Sequence, residues 1–191
     1  MVEVTHGPYM VDNNIFASAY NFDNIAQGGA YIHNLCCGTM RREDVLNRST
    51  PYHFPHSTEV AGTTPVYGGD DRLYNNIFVG SVDAYTEQSL CGTIATTAPP
   101  KPGEYMETVA SMGNEDLEMF EQVKQPAYIN HNAYLKNAPA FDAEKENYTS
   151  AADPQVKISV EGEETYLEIH AEKEMLHMPA GIISTETLGM V

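Results

Sequence analysis

The sequence predicts an all-β chain wound as a parallel β-helix, in which each turn of the chain adds one rung to a stack. A four-residue pattern carries that prediction. It reads Asn13-Asn14-Ile15-Phe16, His33-Asn34-Leu35-Cys36, Asn75-Asn76-Ile77-Phe78 and His131-Asn132-Ala133-Tyr134. The second Asn falls at 14, 34, 76 and 132, so the first gap is 20 residues and the second, 42, is about twice that. A repeat near 20 residues with no helix between copies is the signature of a solenoid whose rungs stack one per repeat. Asn at one place on successive rungs can join its amides into a hydrogen-bonded ladder, with the neighbouring Ile, Leu and Phe filling the interior column.

Taken in order, residues 1–37 read as two consecutive rungs of short strands. Residues from Met1 are already strand-like, which predicts a fragment of a longer protein that begins inside a repeat. Residues 38–72 form a long excursion rich in Pro, Thr and His. A loop of that length in a compact fold is usually functional or disordered, and its aromatics and histidines favour function. Gly68-Gly69-Asp70-Asp71-Arg72 turns the chain back into the rung Leu73–Gly80. The stretch 98–126 opens with Pro99, Pro100 and Pro102 and reads as an insertion. Within it Asn114 caps a short helix with acids in the first turn and Leu117, Phe120 and Val123 on one face. The rung Ala127–Leu135 follows, so the coils span 1–137, and Asn137–Pro154 is a polar linker. Val156, Ile158 and Val160 then alternate with polar residues, Glu161-Gly162-Glu163-Glu164 turns, and Tyr166-Leu167-Glu168-Ile169 returns. That is a half-buried antiparallel hairpin, and 155–191 is predicted to be the start of a β-sandwich.

Composition excludes several functions. With 27 acids against 10 bases the net charge is −17. Nucleic-acid binding needs clustered Lys and Arg, and an anionic membrane surface is disfavoured for the same reason. A neutral ligand such as a sugar is compatible. No apolar run of about 18 residues exists to cross a membrane. Of the three cysteines, Cys36 and Cys37 are adjacent. Neighbours in a strand point to opposite faces, so they make a poor disulfide and a poor metal clamp. No phosphate loop, dinucleotide fingerprint or Gly-x-Ser-x-Gly elbow is present, so no cofactor is expected. Exposed sheet edges at the ends of the stack predict association into a homo-oligomer.

The densest polar segment holds Glu3, His6, Asp12, Asp23, Gln27 and His33, with Tyr9, Tyr20 and Tyr31 between them. A 20-residue rung puts Glu3 directly above Asp23. Adjacent strands lie about 4.8 Å apart, near the ~5–5.5 Å separation of the two carboxylates of a retaining glycosidase. Mutual repulsion would raise one pKa, as an acid/base requires. Asp12 sits one strand further along and faces either the same cleft or a turn. The blander alternatives are solvated acids on an outer face and Asx residues at corners. Gln27-Gly28-Gly29 reads either as a substrate-side loop or as a plain turn. His53 and His56 lack the helix and the third ligand that a metal site needs, so contact with a sugar ring through Tyr52, His53 and Phe54 is the better reading. Asp71 with Arg72 makes either a local ion pair or a polar clamp in the cleft.

Three strings resemble one family: His6-Gly7-Pro8-Tyr9-Met10-Val11-Asp12-Asn13-Asn14-Ile15-Phe16, Gln27-Gly28-Gly29-Ala30-Tyr31-Ile32-His33-Asn34-Leu35, and Gly69-Asp70-Asp71-Arg72-Leu73-Tyr74-Asn75-Asn76-Ile77-Phe78-Val79-Gly80. They are similar to the C-terminal part of the catalytic β-helix of glycoside hydrolases of the family 120 β-xylosidase type, well over 1–80 and loosely over 127–191. The resemblance implies a right-handed parallel β-helix joined to a β-sandwich. It also implies retention by an Asp nucleophile and a Glu acid/base about one coil apart, acting on a neutral oligosaccharide. The order here is reversed, with Glu3 before Asp23, and position 27 is Gln where a Glu would be expected. Two other readings share the fold: a polysaccharide lyase, disfavoured by the scarcity of basic residues and the lack of a Ca²⁺ loop, and a non-catalytic β-helical binding or surface module. Fold alone does not separate them.

Overall fold

A computed structural model of the chain describes residues 1–42, 45–53, 58–66, 71–82 and 127–188. The helix expected at 114–121 and the insertion 98–126 lie outside the described residues, as do Cys91 and His56. The first coil supplies β1 (Val2–Thr5), β2 (Tyr9–Asp12) and β3 (Ile15–Phe16). The second supplies β4 (Tyr20–Ala26), β5 (Gly29–Ile32) and β6 (Leu35–Cys36). Next come β7 (Thr39–Arg42), the pair β8 (Val45–His53) and β9 (Val60–Val66), then β10 (Arg72–Tyr74) and β11 (Ile77–Val79). The last coil gives β12 (Tyr128–Asn130) and β13 (Ala133–Leu135), followed by β14 (Tyr148–Thr149). The chain ends in β15 (Lys157–Glu161), β16 (Glu164–Glu168), α1 (Lys173–Leu176) and α2 (Thr185–Leu188).

Three parallel sheets run along the stack. Sheet A has the order β1-β4-β7, sheet B β2-β5-β10-β12, and sheet C β3-β6-β11-β13-β14. The first three coils each give one strand to each sheet and the last gives β12 to sheet B and β13 to sheet C, the arrangement expected of a β-helix, and the strands at Ile15, Leu35, Ile77 and Ala133 stand in register. The excursion at 38–72 is largely ordered: it holds β7 and then β8–β9, an antiparallel pair.

The recurring tetrapeptide builds the corner between sheets B and C. Its first residue takes a left-handed backbone, with φ of 56° at Asn13, 54° at His33, 56° at Asn75 and 61° at His131. Asn and His tolerate that region better than branched residues do. The turn aims the next side chain inward. Asn14 Nδ2 donates to Asn34 Oδ1 at 3.2 Å, Asn34 Nδ2 to Asn76 Oδ1 at 3.0 Å, and Asn76 Nδ2 to Asn132 Oδ1 at 3.0 Å. Each acceptor also takes the backbone N–H of the Asn before it, at 2.9–3.1 Å. The second amide proton of Asn34, Asn76 and Asn132 goes to the carbonyl of Val11, Tyr31 and Leu73, each at 2.8 Å. Buried amides are costly without partners and useful with them, and here these donors are met.

The ladder ends on a charge. Asn132 gives its backbone N–H and its Nδ2 to Glu144 Oε1 at 2.9 and 3.1 Å, and the Tyr134 hydroxyl donates to Glu144 Oε2 at 2.7 Å. Glu144 is buried, and burial pushes its carboxyl above the usual range, an effect partly offset by those donors.

Inside the stack Phe22, Tyr31, Cys36, Leu73, Phe78, Ile129, Tyr134 and Ala138 form one core. Phe22 and Tyr31 meet edge to face at 5.3 Å, and Phe78 stacks on Tyr134 at 5.4 Å. Ala140 and Phe141 pack over its far end. Cys36 is buried and Cys37 half-buried, both free thiols.

The C-terminal region departs from expectation. The hairpin β15–β16 forms in the register Ile158↔Leu167, but it is exposed along both strands rather than half-buried. Among the described residues it gains no third strand. The chain turns back instead as a strap. Gly181 N donates to Asn75 Oδ1 at 2.7 Å, Asn75 Nδ2 donates to Gly181 O at 3.0 Å, and His131 Nδ1 meets the Pro179 carbonyl at 3.2 Å. Leu188 then closes over Ala30 and Ile32 on the outer face of sheet B.

Candidate functional site

The sequence candidates separate into three places. The first is the outer face of sheet A. Val2 pairs with Asn24 and Glu3 with Ile25, so Glu3 does not sit above Asp23 as a uniform 20-residue rung required. The 20-residue offset holds at β2–β5, where Tyr9 pairs with Gly29, and at the Asn ladder. In sheet A it is lost for two reasons. A bulge at Val4, with φ of 45°, adds one residue to β1. The corner from Thr5 to Tyr9 then holds one residue more than the corner from Ala26 to Gly29. Asp23 and Ile25 lie on the same side of β4 by the two-residue pleat. Glu3 and Asp23 therefore share a face but stand diagonally, with Cα atoms roughly 8 Å apart by strand geometry.

Asp23 faces Arg41 across the next rung. The contact is bidentate, Nε to Oδ1 at 3.0 Å and Nη2 to Oδ2 at 2.9 Å. This hydrogen-bonded guanidinium holds the Asp23 carboxyl below the usual carboxylate range, and a hydrogen bond with the Tyr20 side chain adds to the effect. Asp23 is thus an ionised carboxylate at neutral pH. Glu3 is exposed on edge strand β1, and Tyr20 is exposed at the start of β4. Arg41 and Tyr20 were missed as site residues by the sequence. Arg41 lies 18 residues after Asp23, close to one coil, and that spacing was the available signal.

Beside this face lies the β8–β9 pair, whose β8 neighbours β1. His6 is buried at the corner, and its Nδ1 meets Thr50 Oγ1 of β8 at 2.5 Å. His53 ends β8 in the same pair.

The second place is the outer corner between sheets B and C. Asp12 pairs with Ile32 and accepts from Asn13 Nδ2 at 2.7 Å. His33 stands exposed one rung on, its Nε2 3.1 Å from Asn75 Nδ2. His33 thus lines a corner groove with Asn13, Asn75 and Leu167, and Asp12, on sheet B beside Asn13, does not join Glu3 on sheet A.

The third place is the interior. Gln27 is buried, with its N–H on Thr5 O at 3.0 Å. Gly28 follows with φ of 76°, and a Cβ there would lie 2.7 Å from the His6 carbonyl. The sequence Gln27-Gly28-Gly29 is a tight turn stacked on the first coil. Asp71 is fully buried and accepts from Gly29 N at 3.0 Å. Around it the Tyr9 hydroxyl reaches the Tyr31 hydroxyl at 2.8 Å and donates to Asn24 Oδ1 at 3.3 Å. Burial, with the Asp71 charge adding to it, pushes both phenols well above their ordinary values. Arg72, by strand alternation, takes the opposite side and lies over the Tyr128 ring, 5.6 Å from its centroid.

Among the described residues no group of three or more His, Cys, Asp and Glu converges to hold a metal ion, and no helix is long and apolar enough to cross a membrane.

No protein-family model matches the chain, and no curated protein matches it. A solved structure of XylC in complex with xylose is similar to it, 48% identical with a TM-score of 0.75. The match covers 99% of this chain and 29% of XylC, so the chain spans less than a third of the protein that it resembles.

Proposed function

We propose that this chain is the xyloside-cleaving part of a glycoside hydrolase of the family 120 β-xylosidase type. The observation that carries the reading is the match to XylC, a protein solved with xylose, at 48% identity over 99% of the chain. The strings that resemble the family lie in the same coils, and the stacked sheets fit its right-handed parallel β-helix.

In this reading the outer face of sheet A is the cleft floor. Glu3, exposed on the edge strand β1, serves as the acid/base. Asp23, held ionised by Arg41, serves as the carboxylate that meets the anomeric centre. The role of Asp23 follows from its environment, because a nucleophile must lack a proton, and Glu3 takes the remaining role. Their diagonal placement requires the two side chains to lean together to reach the retaining separation of ~5–5.5 Å; the unbent diagonal is nearer the wider inverting spacing. The exposed ring of Tyr20 offers a face against which a sugar ring packs. Gln27 and Asp71 hold the coils from inside the stack and Arg72 lies against the Tyr128 ring, while Asp12 and His33 serve binding at the corner. The substrate is a neutral xylo-oligosaccharide.

The test is turnover of an aryl β-xyloside, with anomeric configuration followed by NMR. Glu3→Gln should spare activated aryl xylosides more than xylobiose and be rescued by azide, whereas Asp23→Asn should lose both substrates by several orders of magnitude. If Asp12→Asn silences the chain while those two variants do not, the site lies at the corner. Full activity in all three on a confirmed substrate removes this face from the chemistry. The Arg41 clasp on both Asp23 oxygens favours one second reading, a non-catalytic module in which Asp23 is structural, and absence of xyloside turnover with retained xylose binding would select it.

A further inference from the structure

The C-terminal strap is fastened at two neighbouring rungs of the corner between sheets B and C. Asn75 clasps Gly181 through both atoms of its amide. One rung on, the His131 ring reaches the strap with one nitrogen and its own coil with the other. Nδ1 meets the Pro179 carbonyl at 3.2 Å, and Nε2 meets Glu146 Oε2 at 3.0 Å. A carbonyl and an ionised carboxylate are both acceptors, and a neutral imidazole carries one N–H. It satisfies one of them and turns a lone pair on the other, whereas the imidazolium donates to both. The ring has little room to turn away. Its side chain is 17% exposed, and a Cβ on Gly181 would lie 2.5 Å from its Cδ2.

The two acceptors are held unequally. Glu146 belongs to the coil: its carbonyl takes the His131 N–H at 2.6 Å, its own N–H goes to Asn130 Oδ1 at 2.9 Å, and its Oε2 also accepts from Asn130 Nδ2 at 3.2 Å. Pro179 belongs to the strap. Glu146 therefore holds the Nε2 proton whatever the strap does, and closure adds the acceptor that calls for a second proton, on Nδ1.

We propose that His131 is a pH-sensitive latch: the strap is fastened to the corner when the ring carries both protons and loosens as the second proton leaves. Loosening frees the run that seats Ile183 and Leu188 against Ala30, Ile32 and Tyr74 on the outer face of sheet B. Other titratable groups about the ring act differently. Burial raises the Glu144 carboxyl, and the His131 charge is among the influences that lower it, so its attraction for the imidazolium fades as it takes up a proton. His33 opposes the latch. Its Nε2 lies 3.1 Å from Asn75 Nδ2, an atom fixed as a donor by the Gly181 carbonyl, and a proton on Nε2 would set donor against donor. His33 is exposed and can swing into water. His177 beside α1 turns back to the Lys173 carbonyl at 2.6 Å. The latch does not depend on the proposed chemistry.

The test is amide exchange on the full chain, read as protection factors so that the intrinsic pH dependence of exchange drops out, with nitrogen NMR of the His131 ring alongside. The Gly181 N–H reports the strap, and the Asn76 N–H in the ladder is the reference. From about pH 8 to about pH 5.5, Gly181 protection should rise roughly tenfold relative to Asn76, the worth of one buried hydrogen bond. The rise should run in step with the ring passing from one proton to two. His131→Asn supplies a residue that accepts the left-handed φ of 61° there. It should flatten the Gly181 profile and leave Asn76 protected, whereas His33→Asn and Glu144→Gln should keep the rise. The proposal is overturned if wild-type Gly181 protection is flat or falls toward acid, if the rise persists undiminished in His131→Asn, or if the ring still carries one proton at the acid end. Should His131→Asn strip protection from Asn76 as well, the wild-type profiles decide: coincident ring and Gly181 midpoints support the latch, and separate midpoints overturn it.

Discussion

Glu144 is the residue on which the ladder ends, and its loss exposes the cost of orphaned donors. Glu144→Ala leaves the Asn132 N–H, the Asn132 amide and the Tyr134 hydroxyl without their acceptor. Each buried unsatisfied group costs about 1–3 kcal/mol, so urea unfolding should show a loss of roughly 3 kcal/mol or more, whereas Glu144→Gln keeps one acceptor and should lose about 1 kcal/mol. Burial raises the Glu144 pKa in the folded state. A raised acid contributes stability that is fully present below its unfolded pKa and is lost as pH rises through the folded one. The advantage of wild type over Glu144→Gln should therefore be larger at acid pH and shrink toward neutrality. Asp23 has the opposite sign, because Arg41 lowers its pKa. Arg41→Met should remove stability present at neutral pH, and the difference from wild type should fade as pH falls below about 4, the range of an unperturbed Asp.

At the scale of elements, the C-terminal strap hangs on small contacts. A Cβ on Gly181 would come within 2.5 Å of the His131 ring, and that ring is held by Glu146 at 3.0 Å and by the Pro179 carbonyl. Gly181→Val should detach the strap. The expected result is faster protease cleavage after 170, with exchange at Asn34 and Asn76 unchanged. The strap is also where reading the sequence fell short. Alternation at 156–160 marked a strand correctly, and the turn at Gly162 was equally legible. The half-buried face was not found, because alternation reports that a strand forms and not what lies against it. Sheet A shows the same limit. The Asn spacing gave the rung length where the ladder enforces it, but no residue type announced the bulge at Val4 and the longer corner after Thr5 that together moved Glu3 from Asp23 to Ile25.

For the molecule as a whole, charge and topology oppose each other. A net charge of −17 favours solubility and repels the folded chain from itself. Raising NaCl from about 0.02 M to 0.5 M shortens the screening length severalfold. The melting temperature should rise by a few degrees, and a fall instead would mean that the ion pairs at Asp23, Glu146 and Asp153 outweigh the repulsion. What the sequence by itself determined is the stack: Asn and His at the corner accept a left-handed turn, and the next Asn joins its amide to the Asn of the neighbouring rung. Those are local demands, repeated until Glu144 replaces the next Asn, and repetition makes them readable. The inward column, however, is Phe16, Cys36, Phe78 and Tyr134, and the Ile and Leu expected there, Ile15, Leu35 and Ile77, lie on the outer face because alternation turns them away. What only the tertiary structure decided is which charges meet. Asp23 with Arg41, Asn132 with Glu144 and Gly181 with Asn75 pair across coils of unequal length, and the offset between coils is set by bulges and corner lengths that accumulate along the chain rather than by any one residue.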